Sequence, residues 1–301
     1  MPQDKLPPLE VFDAVIVQTP LRGLLMNIDR DLGRRLEQAK RSGDRVAERH
    51  VTLLMIMLRF TINSYKAVCF LISTTDYSPK REDNFVLIVP PANRQLLDLL
   101  FTLVFMIDDF AARSLDYELS GYRELREEFD KVNGQFGNDP KWQPHLVALQ
   151  GLLQTTEQYL PITPQLKADP TLIKYWPSPY QLQDKSTKSR SFLKFLENWL
   201  YGETSAEAHL HASGLMRVGT FMLSHLAPEE MQAVVEGRII RQYTYLQFSR
   251  TLITVLAIAS EIDTFLQLNN REQAANVWGR LTGYVEEAKV VYAQRYQSMV
   301  T

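Results

Sequence analysis

Apolar residues along this chain recur three and four apart far more often than they alternate, which is the spacing of helices. Between positions 51 and 72, Leu54, Met55, Leu58, Ile62, Tyr65 and Cys69 share one helical face, while Arg59, Asn63 and Lys66 fall largely on another. Upstream, Leu24, Leu25, Ile28, Leu32 and Leu36 make 21–40 an amphipathic helix with a more polar outer side. Ser42-Gly43 reads as its stop and Asp44 as the cap of the next helix, so the two are expected to pair antiparallel. A polar loop is expected over 74–84. The run 84–89 suits either a short strand or a buried approach segment, because Pro90-Pro91 directly precedes a third helical pattern. That pattern passes through Arg94, Leu97, Phe101, Val104 and Phe105 to Asp108-Asp109 and continues with a charged face toward Phe129, with Ser120-Gly121 as the expected break.

Seven of the 15 prolines lie between Pro140 and Pro179, where only 145–160 is periodic enough for a helix. Trp142, Tyr159, Tyr175, Trp176 and Tyr180 in this stretch point to a connection packed on the protein body, since disordered linkers are poor in aromatics. Helical spacing resumes over 191–201, 205–226, 228–268 and 271–297. Thr204 with Glu207 fits a capping box, and Pro228 followed by two glutamates fits a helix start. No solenoid repeat is visible. The expectation is an all-α, single-domain multi-helix bundle over 1–301: N-terminal helices in 21–133, one long proline- and aromatic-rich connection over 136–190, and C-terminal helices in 191–298.

Composition narrows the function classes. The 301 residues are 45% hydrophobic and 23% charged, an ordinary globular mixture able to bury a core. Thirty-three Lys and Arg against 35 Asp and Glu give no overall charge argument for nucleic acid or anionic membranes. The charge is uneven, however. Residues 22–50 hold eight bases against five acids, whereas 108–130 hold eight acids against three arginines. That asymmetry hints at a dipolar surface suited to self-association. The single cysteine, Cys69, excludes an internal disulfide and a multi-cysteine metal site, and is expected to be a small core residue. The opening residues carry no secretory pattern, and each apolar stretch is short or interrupted by polar residues, so a cytoplasmic protein with no membrane span is expected.

Phosphate loops, a His-Glu-x-x-His helix and a Gly-x-Ser-x-Gly elbow are absent from the sequence. Asp108-Asp109, with Arg113 and Asp116 following, resembles the aspartate-rich helix of class I terpene synthases, which holds magnesium against a diphosphate. The second metal motif of those enzymes is missing, and Arg295-Tyr296 near the C-terminus is too short a match to replace it; the simpler reading is acids on the solvent side of a helix. Glu203, Glu207, His209 and His211 cluster near a helix start, with Glu207 and His211 on one face. Carboxylate-bridged metal bundles need a Glu-x-x-His on each of two helices, so no metal ligand set is expected, and structural histidines are the simpler reading. Arg45 and His50, with four residues between them, resemble the Arg-x-His signature of helical metal-independent ribonucleases, although composition alone yields such a match. Lys185, Lys188, Arg190 and Lys194 form a basic stretch without interleaved aromatics, which reads as ordinary surface, and no DNA-binding motif is present.

Three segments in order, LLMIMLRFTINSYKAVCFLI, ANRQLLDLLFTLVFMIDD and SRSFLKFLENWLYGETSAEAHLHASGL, resemble the bacterial all-helical family known as domain of unknown function 5677, over roughly 50–225. The resemblance places an Arg and an acid four apart on a central helix, here Arg94 and Asp98, and a Tyr-x-x-x-Ser leading to His, here Tyr201, Ser205 and His209 or His211. It carries no established reaction. Physically, Arg94 and Asp98 share a face in an apolar stretch and, if buried, need each other or a partner such as His209 or Glu203. The expected binding residues are therefore Arg94, Asp98, Tyr201, Glu203 and Ser205, with His209, His211, Arg45 and His50 as catalytic candidates and no cofactor. The function expected is binding or assembly, through a protein partner or a homo-oligomer such as a dimer. The alternative is a metal-independent ribonuclease acting in antiphage defence, the one reading that involves nucleic acid.

Overall fold

A computed structural model describes residues 14–72, 79–202, 204, 205, 215, 216, 219 and 241–300. The fold is all-α and multi-helix. Its helices are α1 (Thr19–Ser42), α2 (Arg45–Ile72), α3 (Pro79–Ile107), α4 (Phe110–Phe136), α5 (Gln143–Tyr159), α6 (Pro164–Ala168), α7 (Pro179–Lys185), α8 (Arg190–Leu196), α9 (Arg241–Leu266), α10 (Arg271–Tyr284), α11 (Glu286–Val291) and α12 (Gln297–Val300). Three wide π-type turns, Ala14–Gln18, Glu197–Tyr201 and Tyr292–Tyr296, extend α1, α8 and α11. The chain divides into two compact units: residues 1–105 with 182–301, and residues 106–181.

In the first unit α1 and α2 form the expected antiparallel pair. Gly43 ends α1 at φ 70°, a left-handed conformation that glycine adopts without steric cost, and its N–H closes onto the carbonyls of Ala39 and Lys40. One residue later the Asp44 carboxylate accepts from the Ala47 N–H at 3.0 Å, capping α2. Leu21, Leu24, Leu25, Ile28 and Leu32 of α1 and Leu54, Leu58 and Tyr65 of α2 are buried, as their spacing requires. The inner helix is α9: from Gln247 to Ile262 nearly every side chain is buried. It carries many polar residues there, and its hydroxyls turn back on the helix itself. Thr254 and Ser260 donate to the carbonyls four residues earlier at 2.8 Å.

The second unit is simpler. Tyr122 of α4, Leu153 of α5, and Leu160 and Ile173 beyond it make a small core. The proline-rich stretch is pinned to α4, as its aromatics suggest. The Trp176 N–H donates to the Ser120 hydroxyl at 2.7 Å, the Trp176 ring meets Tyr117 edge-on, and Arg123 donates to the Ile173 carbonyl at 2.6 Å.

Four expectations are corrected. Residues 84–89 are helical, not a strand, and α3 starts at Pro79, passing through Pro90 and Pro91. Val89 and Pro90 are buried, so packing outweighs the two lost backbone donors. The expected break at Ser120-Gly121 does not occur. The Ser120 hydroxyl is occupied by Trp176 and Glu124 within an unbroken α4, and the chain turns instead at Asp108-Asp109. Asp108 is not on the solvent side: its side chain is 3% exposed and ion-paired with Arg113 at 3.5 Å. Thr204 is not an N-cap; its buried hydroxyl donates back to the Leu200 carbonyl at 2.9 Å. Most of 205–226, Glu207 and the start at Pro228 lie outside the described residues.

Candidate functional site

Arg94, Asp98 and Tyr201 converge in the first unit. Arg94 and Asp98 stand one helical turn apart on α3, and the Arg94 Nε donates to Asp98 Oδ2 at 3.1 Å. The π-type turn that ends α8 delivers Tyr201 to the same place. The Arg94 guanidinium lies 3.4 Å from the centroid of the Tyr201 ring, and its Nη1 donates to the Tyr201 carbonyl at 3.2 Å. Phe101, one further turn along α3, meets the same ring edge-on at 5.6 Å. The cation is thus stacked, paired and hydrogen-bonded, an arrangement that holds a guanidinium in a mostly apolar setting. Arg94 is 8% exposed, whereas the Asp98 side chain is 39% exposed, although its Oδ1 is buried. Ser205 is half-buried on the turn after Tyr201. Glu203, His209 and His211 lie outside the described residues.

Beside Arg94, Asn93 forms a fully buried knot that periodicity does not reveal. Its Nδ2 donates to the Gln247 carbonyl and side-chain oxygen, at 2.9 and 3.0 Å, and its Oδ1 accepts from Thr251 at 2.6 Å. A larger knot joins α9 to the C-terminus. Glu261, 1% exposed, receives Arg295 in a two-pronged pair at 2.5 and 2.9 Å and the Tyr296 hydroxyl at 2.9 Å. The wide turn Tyr292–Tyr296 accompanies this convergence of two neighbouring side chains on one carboxylate. Arg295 also donates to Ser189 at 3.3 Å and sits over the Phe192 ring at 4.9 Å. Burial, then the adjacent Glu261 charge, pushes the Tyr296 phenol well above its ordinary value. Arg250, equally buried, forks onto Glu287 at 3.2 and 3.4 Å. Arg295-Tyr296 therefore has a structural employment, and the carboxylate it serves was legible in sequence only as one acid in an apolar run.

The other candidates separate. Arg45 is exposed and His50 half-buried on α2; five residues apart, they point about 140° from each other around the helix. The imidazole lies 3.4 Å from the Arg49 guanidinium, and burial followed by that charge lowers its pKa. Cys69 is buried against Tyr65, and burial raises its thiol pKa, which leaves it a poor nucleophile. Among the described residues no group of three or more His, Cys, Asp or Glu is placed to hold a metal ion. In the second unit a shallow cleft of about 290 Å³ lies between α4 and α5, lined by Glu118, Tyr122, Thr156 and Tyr159 among others. Tyr122 borders it and donates to Glu157 at 3.0 Å, which burial and this bond answer with a phenol pKa pushed up to about 12.

One surface remains distinctive. On α2 the side chains of Ile56, Phe60, Asn63, Ala67 and Phe70 are exposed, Ile56 by 60% and Phe70 by 72%. Their spacing of four and three residues places them in a single stripe. This helix is long and apolar enough to cross a membrane by length and composition, and 39% of its most apolar stretch is buried. Comparison with known proteins adds no relative: no family model, curated protein or solved structure matches the chain.

Proposed function

We propose that the protein serves in binding or assembly, with α2 as its contact face and the Arg94 cluster as part of the scaffold. The observation that carries this reading is the exposed Ile56, Phe60, Ala67 and Phe70 stripe, since contiguous apolar surface on a folded chain marks an interaction site. The ionic clusters support it from the other side. Arg94, Arg250 and Arg295 are each held by a carboxylate of the same unit, as packing devices are. The Arg45 and His50 geometry offers the ribonuclease reading no observation of its own.

Photo-crosslinking in cells tests the proposal. A photoreactive amino acid at Phe60 or Phe70 is expected to yield a discrete adduct, and the same group at exposed Gln158 of the second unit is not. No adduct from either α2 position, or identical adducts from all three, would remove the reading.

A further inference from the structure

We propose that the partner at this face is an amphipathic helix whose apolar seam is flanked by carboxylates; the inference rests on the interaction role proposed above and adds the chemistry of the occupant. The stripe Ile56, Phe60, Asn63, Ala67 and Phe70 alternates steps of four and three, the repeat that a second helix meets with its own seam. On neighbouring α1, Met26 is also exposed, by 71%. The rim is cationic. Arg59 and Lys66 stand beside the stripe on the side facing α1; Arg22, exposed on α1, lies near Cys69 and Tyr65 of α2, and Arg45 is exposed about three turns before Ile56. Asp29 engages Arg59 at 3.1 Å and offsets one of these charges. The remaining excess calls for acids on the incoming helix, at the positions that border its seam.

The same charges argue against the simplest competitor. A second copy crossing antiparallel through Asn63 would bring Lys66 of one chain onto Arg59 of the other, like against like. Small Ala67 between Phe60 and Phe70 leaves a notch for a large side chain of the partner, while Phe60 and Phe70 want small ones opposite. Asn63 in the middle of the stripe supplies a polar position that fixes register.

Two labelled synthetic helices about three heptads long, identical along a leucine and alanine seam and bearing either glutamate or lysine at the flanks, are titrated against the full chain by fluorescence anisotropy. The glutamate-flanked helix is expected to bind about tenfold more tightly or better and to weaken with added salt. Phe60→Asp and Phe70→Asp are expected to lose about tenfold each or more, with unchanged circular dichroism because both rings are exposed. Lys66→Glu is expected to narrow the preference between the helices. Equal affinities, or no binding of either helix, overturn the assigned partner chemistry. So does sedimentation showing a dimer that Phe70→Asp dissociates, or flotation with anionic vesicles that Phe70→Asp abolishes, which would give the face to a second copy or to lipid. Those last results leave the binding role standing; failure of the crosslinking at Phe60 and Phe70 removes both.

Discussion

Each of the two units contains an arginine, a glutamate and a tyrosine joined together. In the first unit Arg295 forks onto Glu261, which also takes the Tyr296 hydroxyl, with Tyr296 fully buried. In the second unit Arg123 donates to Glu127 at 2.7 Å, Glu127 accepts the Tyr175 hydroxyl at 2.5 Å, and the guanidinium lies 3.7 Å from the Tyr175 ring centroid. The components are the same and both arginine side chains are 15% exposed, but the solvent differs at the carboxylate and the phenol: Tyr175 is 50% exposed and the Glu127 side chain 43%, against 0% for Tyr296 and 1% for Glu261. In water the charges are already well solvated, so making the contact changes little. Away from water each member depends on the other two, and losing one leaves an uncompensated charge. The buried triad fixes where the C-terminal helix sits; the exposed one only fastens a loop.

The most severe test of that contrast is Glu261→Ala, expected to cost about 3–5 kcal/mol in denaturant unfolding because the fully buried Tyr296 hydroxyl and the Arg295 guanidinium both lose the buried carboxylate that holds them. Glu127→Ala is expected to cost far less, because its carboxylate is already solvated. Equal losses would show that burial does not separate the two triads. The Arg94 cluster should fall between them. Arg94→Ala is expected to lower stability by about 1–3 kcal/mol through the lost charged hydrogen bonds. An unchanged melting temperature together with a lost interaction would reassign Arg94 from scaffold to contact residue.

Alkaline titration sharpens the contrast through the phenols. Tyr122 carries a folded pKa of about 12, above its unfolded value near 10. Its contribution is fully present below about pH 10 and is lost as pH rises toward 12. Tyr122→Phe should flatten that loss, and phenolate absorbance should show Tyr296 silent until its unit opens. The smallest effect lies on the acid side. Burial first, and then nearby Asp31, raises the pKa of Asp263, with Asn270 bonds opposing the rise. The folded state therefore holds this proton more tightly than the unfolded chain, so the contribution of Asp263 improves as pH falls toward its unfolded value. Comparing stability against pH for Asp263→Asn and the native chain checks this; a steeper acid gain in the variant contradicts it.

Helix type was legible because three-and-four spacing survives any packing arrangement, and the α1–α2 pair was legible because Gly43 and Asp44 signal both its stop and its start. Boundaries decided by distant contacts were not. Ser120-Gly121 looks like a break until Trp176 is seen to occupy the serine, and Pro90-Pro91 looks like a start until the residues around it are seen to be buried. The same divide runs through the polar clusters. Arg94 and Asp98 declare themselves by lying four apart on one helix. Glu261 and Arg295 are 34 positions apart, and nothing local in TLITVLAIASEIDTFL announces that its glutamate is paired. The exposed face of α2 was hidden for the opposite reason: an apolar residue reads as core until the neighbours that fail to cover it are known.

The division of the chain has a consequence for how the protein is made. Residues 106–181 form one uninterrupted stretch, whereas the other unit is assembled from residues before and after it. During synthesis the inserted unit has all of its sequence outside the ribosome while α9 to α12 are still to be translated. Its contacts are close in sequence and form early; those of the outer unit, such as Asn93 with Gln247, must wait for the second half. Until α9 emerges, the inward faces of α1, α2 and α3 lack the helix that covers them. Truncation before α9 should therefore yield an aggregating product rather than a smaller folded one.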